Sequence, residues 1–168
     1  MYKQILLNSI IKEMKIIRRL STKIPADKHD FRKKEGMRSI LELLQYLSSC
    51  GTGTILYWYR TDSSDFRTFY STLNEKAKTI IPENFAAAMD AQIELVKKLF
   101  DNITEEDLLT KEIDFPGGEK GVLAEGIIET NIKWLTAYKM QLFLAIKLTS
   151  EEKLATPDLW RKTEIEIA

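Results

Sequence analysis

The residues in this chain that could do chemistry are few. One cysteine, Cys50, and one histidine, His29, occur in 168 residues. A cysteine nucleophile calls for a nearby imidazole to take its proton. His29 lies between Lys28 and Asp30, in a polar stretch separating two apolar-periodic segments. Cys50, beside Gly51, therefore reads as a packed thiol and His29 as a solvated loop residue. A structural zinc site of the usual nitrogen and sulfur type would lack most of its ligands. Carboxylates are the other route to a metal in a helical protein. Glu42, Glu94, Glu125 and Glu129 fall in helical segments, but no Glu-x-x-His accompanies them, so they read as exposed helix-face charges. Two glycine clusters, Cys50-Gly-Thr-Gly53 and Pro116-Gly-Gly-Glu-Lys-Gly121, match neither the spacing nor the strand-to-helix context of a phosphate loop. The basic run Arg32, Lys33, Lys34 is interrupted by Glu35, has no interleaved aromatics, and reads as a solvated loop.

Composition sets the frame for these residues. The 25 Lys and Arg balance 25 Asp and Glu, which removes the electrostatic footprint of a non-specific nucleic-acid or membrane binder. One cysteine cannot form an internal disulfide, so nothing points to an oxidising compartment. A chain of this length with 44% hydrophobic residues can bury a core as one domain, residues 1–168. The N-terminal segment mixes Ile and Leu with Lys3, Lys12, Glu13, Lys15, Arg18 and Arg19, which makes it an amphipathic helix and not a signal peptide. The longest apolar runs fall far short of the ~18 residues of a membrane span, and the expected location is the cytoplasm.

The elements that must position the candidates are helices. With 7 Gly and 4 Pro the chain has little punctuation, which favours long helices. Ile5, Leu6, Ile10, Ile11, Met14, Ile17 and Leu20 recur at three- and four-residue steps, predicting a first helix from about Tyr2 to Leu20 that fails by Pro25. A second begins near Ile40 and is expected to continue past Gly51 and Gly53 to Tyr59, with a kink or close helix contact at the glycines. The polar excursion from Thr61 to Ile81 has room for a short helix around Phe66 to Ala77. A third long helix starts at Pro82 and runs to about Asn102. Thr104 and Asp107 then suggest a capped turn, and Ile113 to Phe115 a brief extended piece. From Val122 to about Leu148 a fourth helix carries Ile127, Asn131, Trp134, Leu135, Tyr138 and Leu142 on a wide inward stripe. Thr156-Pro157 has the form of a short final helix. The fold class predicted is all-α, a four-helix bundle with short extra helices in its connections and at the C-terminus.

Two stretches carry a resemblance. Glu35-Gly-Met-Arg-Ser-Ile-Leu-Glu-Leu-Leu-Gln-Tyr-Leu47 has a serine cap before an L-x-x-L-H-L-like run, and Trp134-Leu-Thr-Ala-Tyr-Lys-Met-Gln-Leu-Phe-Leu-Ala-Ile-Lys147 follows an H-x-x-x-H-R-x-Q-L pattern. With the order of elements and Thr156-Pro157, they resemble the DinB/YfiT-like four-helix bundles over nearly the whole chain. In metal-binding members one histidine of the second helix and two of the fourth hold a divalent ion. By that resemblance these positions fall on Gln45, Trp134 and Tyr138, none of which replaces an imidazole toward zinc or nickel. Lys139 and Gln141 keep the basic and glutamine positions.

The resemblance implies a kept scaffold without its metal, and no cofactor. Gln45, Trp134 and Tyr138 are expected either to fill the space between helices or, with Asn131, to line a metal-free cleft for a small ligand. Asn131 needs a polar partner, expected to be Gln45 across the bundle. The leading expectation is a ligand-binding or protein-interaction module, forming a homodimer as such bundles often do. The alternative is an enzyme that transfers a low-molecular-weight thiol, which would need some other means of generating thiolate.

Overall fold

The computed structural model describes residues 1–62 and 64–161. Its elements are α1 (Tyr2–Ser21), α2 (Ile40–Cys50), α3 (Gly53–Trp58), α4 (Phe66–Ala77), α5 (Pro82–Asp101) and α6 (Glu105–Thr110), then strands β1 (Glu112–Asp114) and β2 (Lys120–Val122), α7 (Leu123–Gly126), a π-helical turn (Ile127–Ile132), α8 (Lys133–Thr149) and a 3₁₀ turn (Thr156–Leu159). The protein is predominantly helical, with one two-stranded antiparallel ribbon in which Ile113 faces Gly121. No helix of the described residues is long and apolar enough to cross a membrane.

Local signals account for the helix limits. Ser39 Oγ accepts the Glu42 amide and the Glu42 carboxylate accepts the Ser39 amide at 2.6 Å, a reciprocal cap that starts α2 at Ile40. Asp65 caps α4 through the Thr68 amide, and Thr104 caps α6 through the Asp107 amide. Pro82 opens α5 at a position where its missing N–H costs nothing. Arg18 and Arg19 close α1, where positive charge complements the unsatisfied carbonyl end.

The long helices α1, α5, α2 and α8 pack in a closed ring in that order, and α4 lies outside against α2 and α3. Apolar residues at helical spacing meet at the centre: Ile10, Met14 and Ile17 from α1, Leu44 and Leu47 from α2, Phe85, Met89, Val96 and Phe100 from α5, and Leu135, Leu142 and Ile146 from α8. The second helix does not run unbroken to Tyr59. It stops at Cys50 and resumes at Gly53. Likewise the segment expected to be one fourth helix is α7, the π turn and α8 in succession.

The break after Cys50 has a specific cause. In a regular helix the Gly51 N–H would bond the Leu47 carbonyl. Instead the Gln92 side chain of α5 stands between them: its Oε1 accepts the Gly51 N–H at 2.7 Å, and its Nε2 donates to the Leu47 carbonyl at 3.0 Å. Both backbone groups stay satisfied although the turn is opened. The approach is close: a Cβ at position 51 would collide with Met14 Cε and lie 2.9 Å from Gln92 Oε1, so a larger residue would displace the ends of both side chains.

A second buried polar contact ties the chain ends together. Lys139 on α8 is fully buried; its Nζ donates to the Leu159 carbonyl at 2.8 Å and forms a close ion pair with Glu13 of α1 at 2.6 Å. The indole of Trp160 covers the ammonium, 4.5 Å from the ring centroid. The geometry is that of an ion pair and not of an aligned hydrogen bond, so most of its value lies in keeping either charge from being buried alone. Glu13→Leu is expected to cost about 3 kcal/mol in urea denaturation, since it strands the ammonium, whereas Glu13→Leu with Lys139→Met recovers most of the loss. A double variant no more stable than the single one would refute this reading of the pair.

Candidate functional site

Two pairs of side chains, each four residues apart, face one another across the gap between α2 and α8. Tyr46 and Cys50 project from α2, and Trp134 and Tyr138 from α8. The Tyr46 and Tyr138 rings are 4.4 Å apart between centroids, and Trp134 meets the edge of Tyr70 from α4 at 6.2 Å. Phe66, at 4.3 Å from Tyr70, and Tyr57, at 5.2 Å from Phe66, extend the cluster toward α3. Rings thus fill the space between α2, α4 and α8.

The four residues expected from the sequence are only partly brought together. Trp134 and Tyr138 share this cluster. Gln45 lies on the neighbouring flank of α2, where its Nε2 donates to the Ile80 carbonyl at 3.2 Å and the Lys78 carbonyl at 3.4 Å, fastening the connection between α4 and α5. The side chain facing Tyr138 is Tyr46, one residue on. Asn131 is fully buried, and its partners are not Gln45. Its Nδ2 donates to the Gly51 carbonyl at 2.9 Å and its Oδ1 accepts the Thr54 hydroxyl at 2.7 Å. Each threonine hydroxyl has one proton, so with Thr54 bonded to Asn131, Thr130 gives its own to Thr54 or to the Gly126 carbonyl, each 2.8 Å away. Asn131 therefore completes, from the opposite side, the repair of the helix break that Gln92 begins.

Burial governs the titration of the cluster. Complete burial pushes the Cys50 thiol up to about 12, against the smaller lowering effects of the Tyr46 hydroxyl and the Arg38 charge. Burial also drives the Tyr46 and Tyr70 hydroxyls above the ordinary tyrosine range. Among the described residues no three His, Cys, Asp or Glu side chains converge as a metal would require. His29 is remote from the cluster, its Nδ1 lying 3.0 Å from the Ala26 carbonyl in the connection after α1.

The cluster opens outward beneath Arg38, which precedes the cap of α2. Its guanidinium lies over both rings, 4.5 Å from the Tyr46 centroid and 5.1 Å from that of Tyr138, and one N–H reaches the Tyr138 hydroxyl at 3.3 Å. Around it is a cleft of about 710 Å³ walled by Arg38, Glu42, Gln45, Tyr46, Asn74 and Gln141, among others. A groove of about 820 Å³ lies between α1 and α5, bridged by the Arg18–Asp90 pair at 2.8 Å and bordered on α5 by the Lys97–Glu94 pair at 2.6 Å. Of the cleft residues, Arg38, Tyr46 and Asn74 were not anticipated from the sequence. The Tyr46 and Cys50 spacing was a signal that matches the Trp134 and Tyr138 spacing; Arg38 and Asn74 had none.

Comparison with known proteins produces no match: no family model, no curated protein and no solved structure is significantly similar to this chain.

Two outcomes are expected of this arrangement. Asn131→Ala should cost about 1–3 kcal/mol in chemical denaturation, because it leaves the Gly51 carbonyl buried without a partner and takes from the Thr54 hydroxyl its bond to the amide, leaving it only Thr130. An unchanged midpoint would remove Asn131 from this role. For Cys50, the unfolded thiol loses its proton near its ordinary 9.0 while the folded one keeps it to about 12, so the unfolded state binds fewer protons above pH 9. Stability is then indifferent to this group below pH 9 and falls above it, by at most about 1.4 kcal/mol per pH unit. Between pH 9 and 10, Cys50→Ala should flatten that fall; an identical slope in the variant would contradict it.

Proposed function

We propose that this protein is a metal-free helical bundle of the DinB/YfiT-like type that binds a small ligand at the cleft beneath Arg38. The observation carrying the reading is the pairing of a filled interior with an open mouth. Tyr46, Tyr70, Trp134 and Tyr138 close the space between α2, α4 and α8, while the surface directly above them is concave and mixes aromatic, amide and charged groups. The closed ring of α1, α5, α2 and α8 supports the bundle reading, and the resemblance in α2 and α8 supports the type.

Binding is favoured over thiol transfer by the donor set. A transferase of that kind needs a group that lowers the pKa of its substrate thiol, and among the described residues no three His, Cys, Asp or Glu side chains gather to hold a metal that would do so. The partner expected is a small molecule in the cytoplasm, with neither nucleic acid nor membrane. A homodimer would cover Met140, Leu144 and Leu148, which are 37%, 41% and 58% exposed on α8.

A thermal-shift screen with thiols, nucleotides and hydrophobic acids tests the reading: a specific stabiliser should raise the melting temperature in a concentration-dependent way. Protein purified without a nickel column should contain no stoichiometric transition metal. A metal bound between α2 and α8, or no stabiliser of any class, would overturn the proposal.

A further inference from the structure

We infer that the cleft recognises an oxyanion, the carboxylate or phosphate of a small metabolite, and that Arg38 is the residue receiving it. The inference rests on the ligand-binding reading above and adds the chemical class of the ligand. Its basis is the accounting of charges around the cleft. Arg32 pairs with Glu42 at 3.3 Å and donates to the Met37 carbonyl at 2.8 Å; Lys78 pairs with Glu75 at 2.7 Å. Glu42 is also committed to the Ser39 amide, which holds its carboxyl below the usual range. Among the described residues Arg38 alone of these charges has no carboxylate partner, and one of its five N–H groups is used, on the Tyr138 hydroxyl.

The position of that guanidinium suits it to an anion. One face rests on two aromatic rings, which attract the cation and fix its plane, while along its edge only the Tyr138 hydroxyl takes a single N–H. A carboxylate or phosphate can take two parallel N–H bonds on that edge, the geometry in which arginine binds strongest. Also lining the cleft, the side-chain amides of Asn74 and Gln141 make no hydrogen bond within the described residues, so each offers a donor and an acceptor to the rest of the ligand. A volume of about 710 Å³ suits a metabolite better than a lone inorganic ion.

Calorimetric titration with benzoate, phenyl phosphate, inorganic phosphate and neutral benzamide tests the inference, with the Asn74 and Gln141 side-chain amide resonances followed by NMR. We expect benzoate or phenyl phosphate to bind one per chain and to move both amide resonances, and benzamide to bind at least about tenfold more weakly. Which of the two anions binds tighter assigns carboxylate or phosphate as the source. Arg38→Gln should weaken anion binding about tenfold or more, and Arg38→Lys, which keeps the charge but not the fork, by less. Unchanged melting temperatures would show that these exposed substitutions leave the fold intact. Benzamide binding as tightly as benzoate, or anion binding indifferent to Arg38→Gln, would overturn the oxyanion inference and leave the ligand-binding reading standing. Failure of every probe here, together with failure of the broader screen, would overturn both.

Discussion

The arrangement depends on one side chain occupying another helix's hydrogen bond. The Gln92 amide accepts from the Gly51 N–H and donates to the Leu47 carbonyl, so α2 is opened without leaving a backbone group unpaired. An opened turn in a core would otherwise cost the desolvation of two polar groups, of order 1–3 kcal/mol each. Because Gln92 removes that penalty, α2 can stop at Cys50 and α3 can restart at Gly53 on a new line. The Gly51 carbonyl, released by the same break, is taken by Asn131 from the π turn. Three helical segments are thereby joined through one residue, and a Cβ there would push against the ends of Met14 and Gln92.

The candidate site inherits its geometry from that junction. Cys50 is the last residue of α2, and Tyr46 lies one turn before it, so the place where the helix ends determines how deeply this pair sits against α8. On the other side, the π turn from Ile127 to Ile132 precedes Trp134 and Tyr138. Its wider turn disturbs the 3.6-residue phase, so Asn131 is turned toward Gly51 and Thr54 while Trp134 and Tyr138 face α2 and α4. Turns of this kind are frequent at functional sites, and here the turn separates a structural amide from a ring-lined surface. The buried Lys139 then holds α8 to α1 and to the C-terminal 3₁₀ turn, one residue beyond Tyr138.

Much of the helical framework was legible from the sequence, because its causes are local. The limits of α1 and α5 follow from apolar spacing, from Pro82 and from terminal charges; α2 announces itself through Ser39 and Glu42, and α4 appears where Phe66 to Ala77 suggested a short helix. Even the brief strand at Ile113 lies in the stretch expected to be extended. The interruptions were less legible. Gly51 and Gly53 signalled an irregularity, but its form depends on Gln92, 41 residues away, and no local propensity records such a partner. The π turn likewise contains no proline or paired glycines to mark it, and an ordinary helical stripe would place Asn131 with Trp134 and Tyr138.

By itself, then, the sequence determined that the chain is helical, where its main helices begin, and that imidazole and thiol ligands are too few for a conventional metal centre. Those properties follow from composition and from interactions within a few residues. Only the tertiary structure decided which flank of α2 meets α8. Neighbouring residues on a helix point about 100° apart, so a one-residue difference exchanges Gln45, which fastens Ile80 and Lys78, for Tyr46, which stacks on Tyr138. It also decided that Arg38 lies over both rings with no ion-pair partner among the described residues, because that placement results from the packing of α2 against α8 and not from any pattern around residue 38.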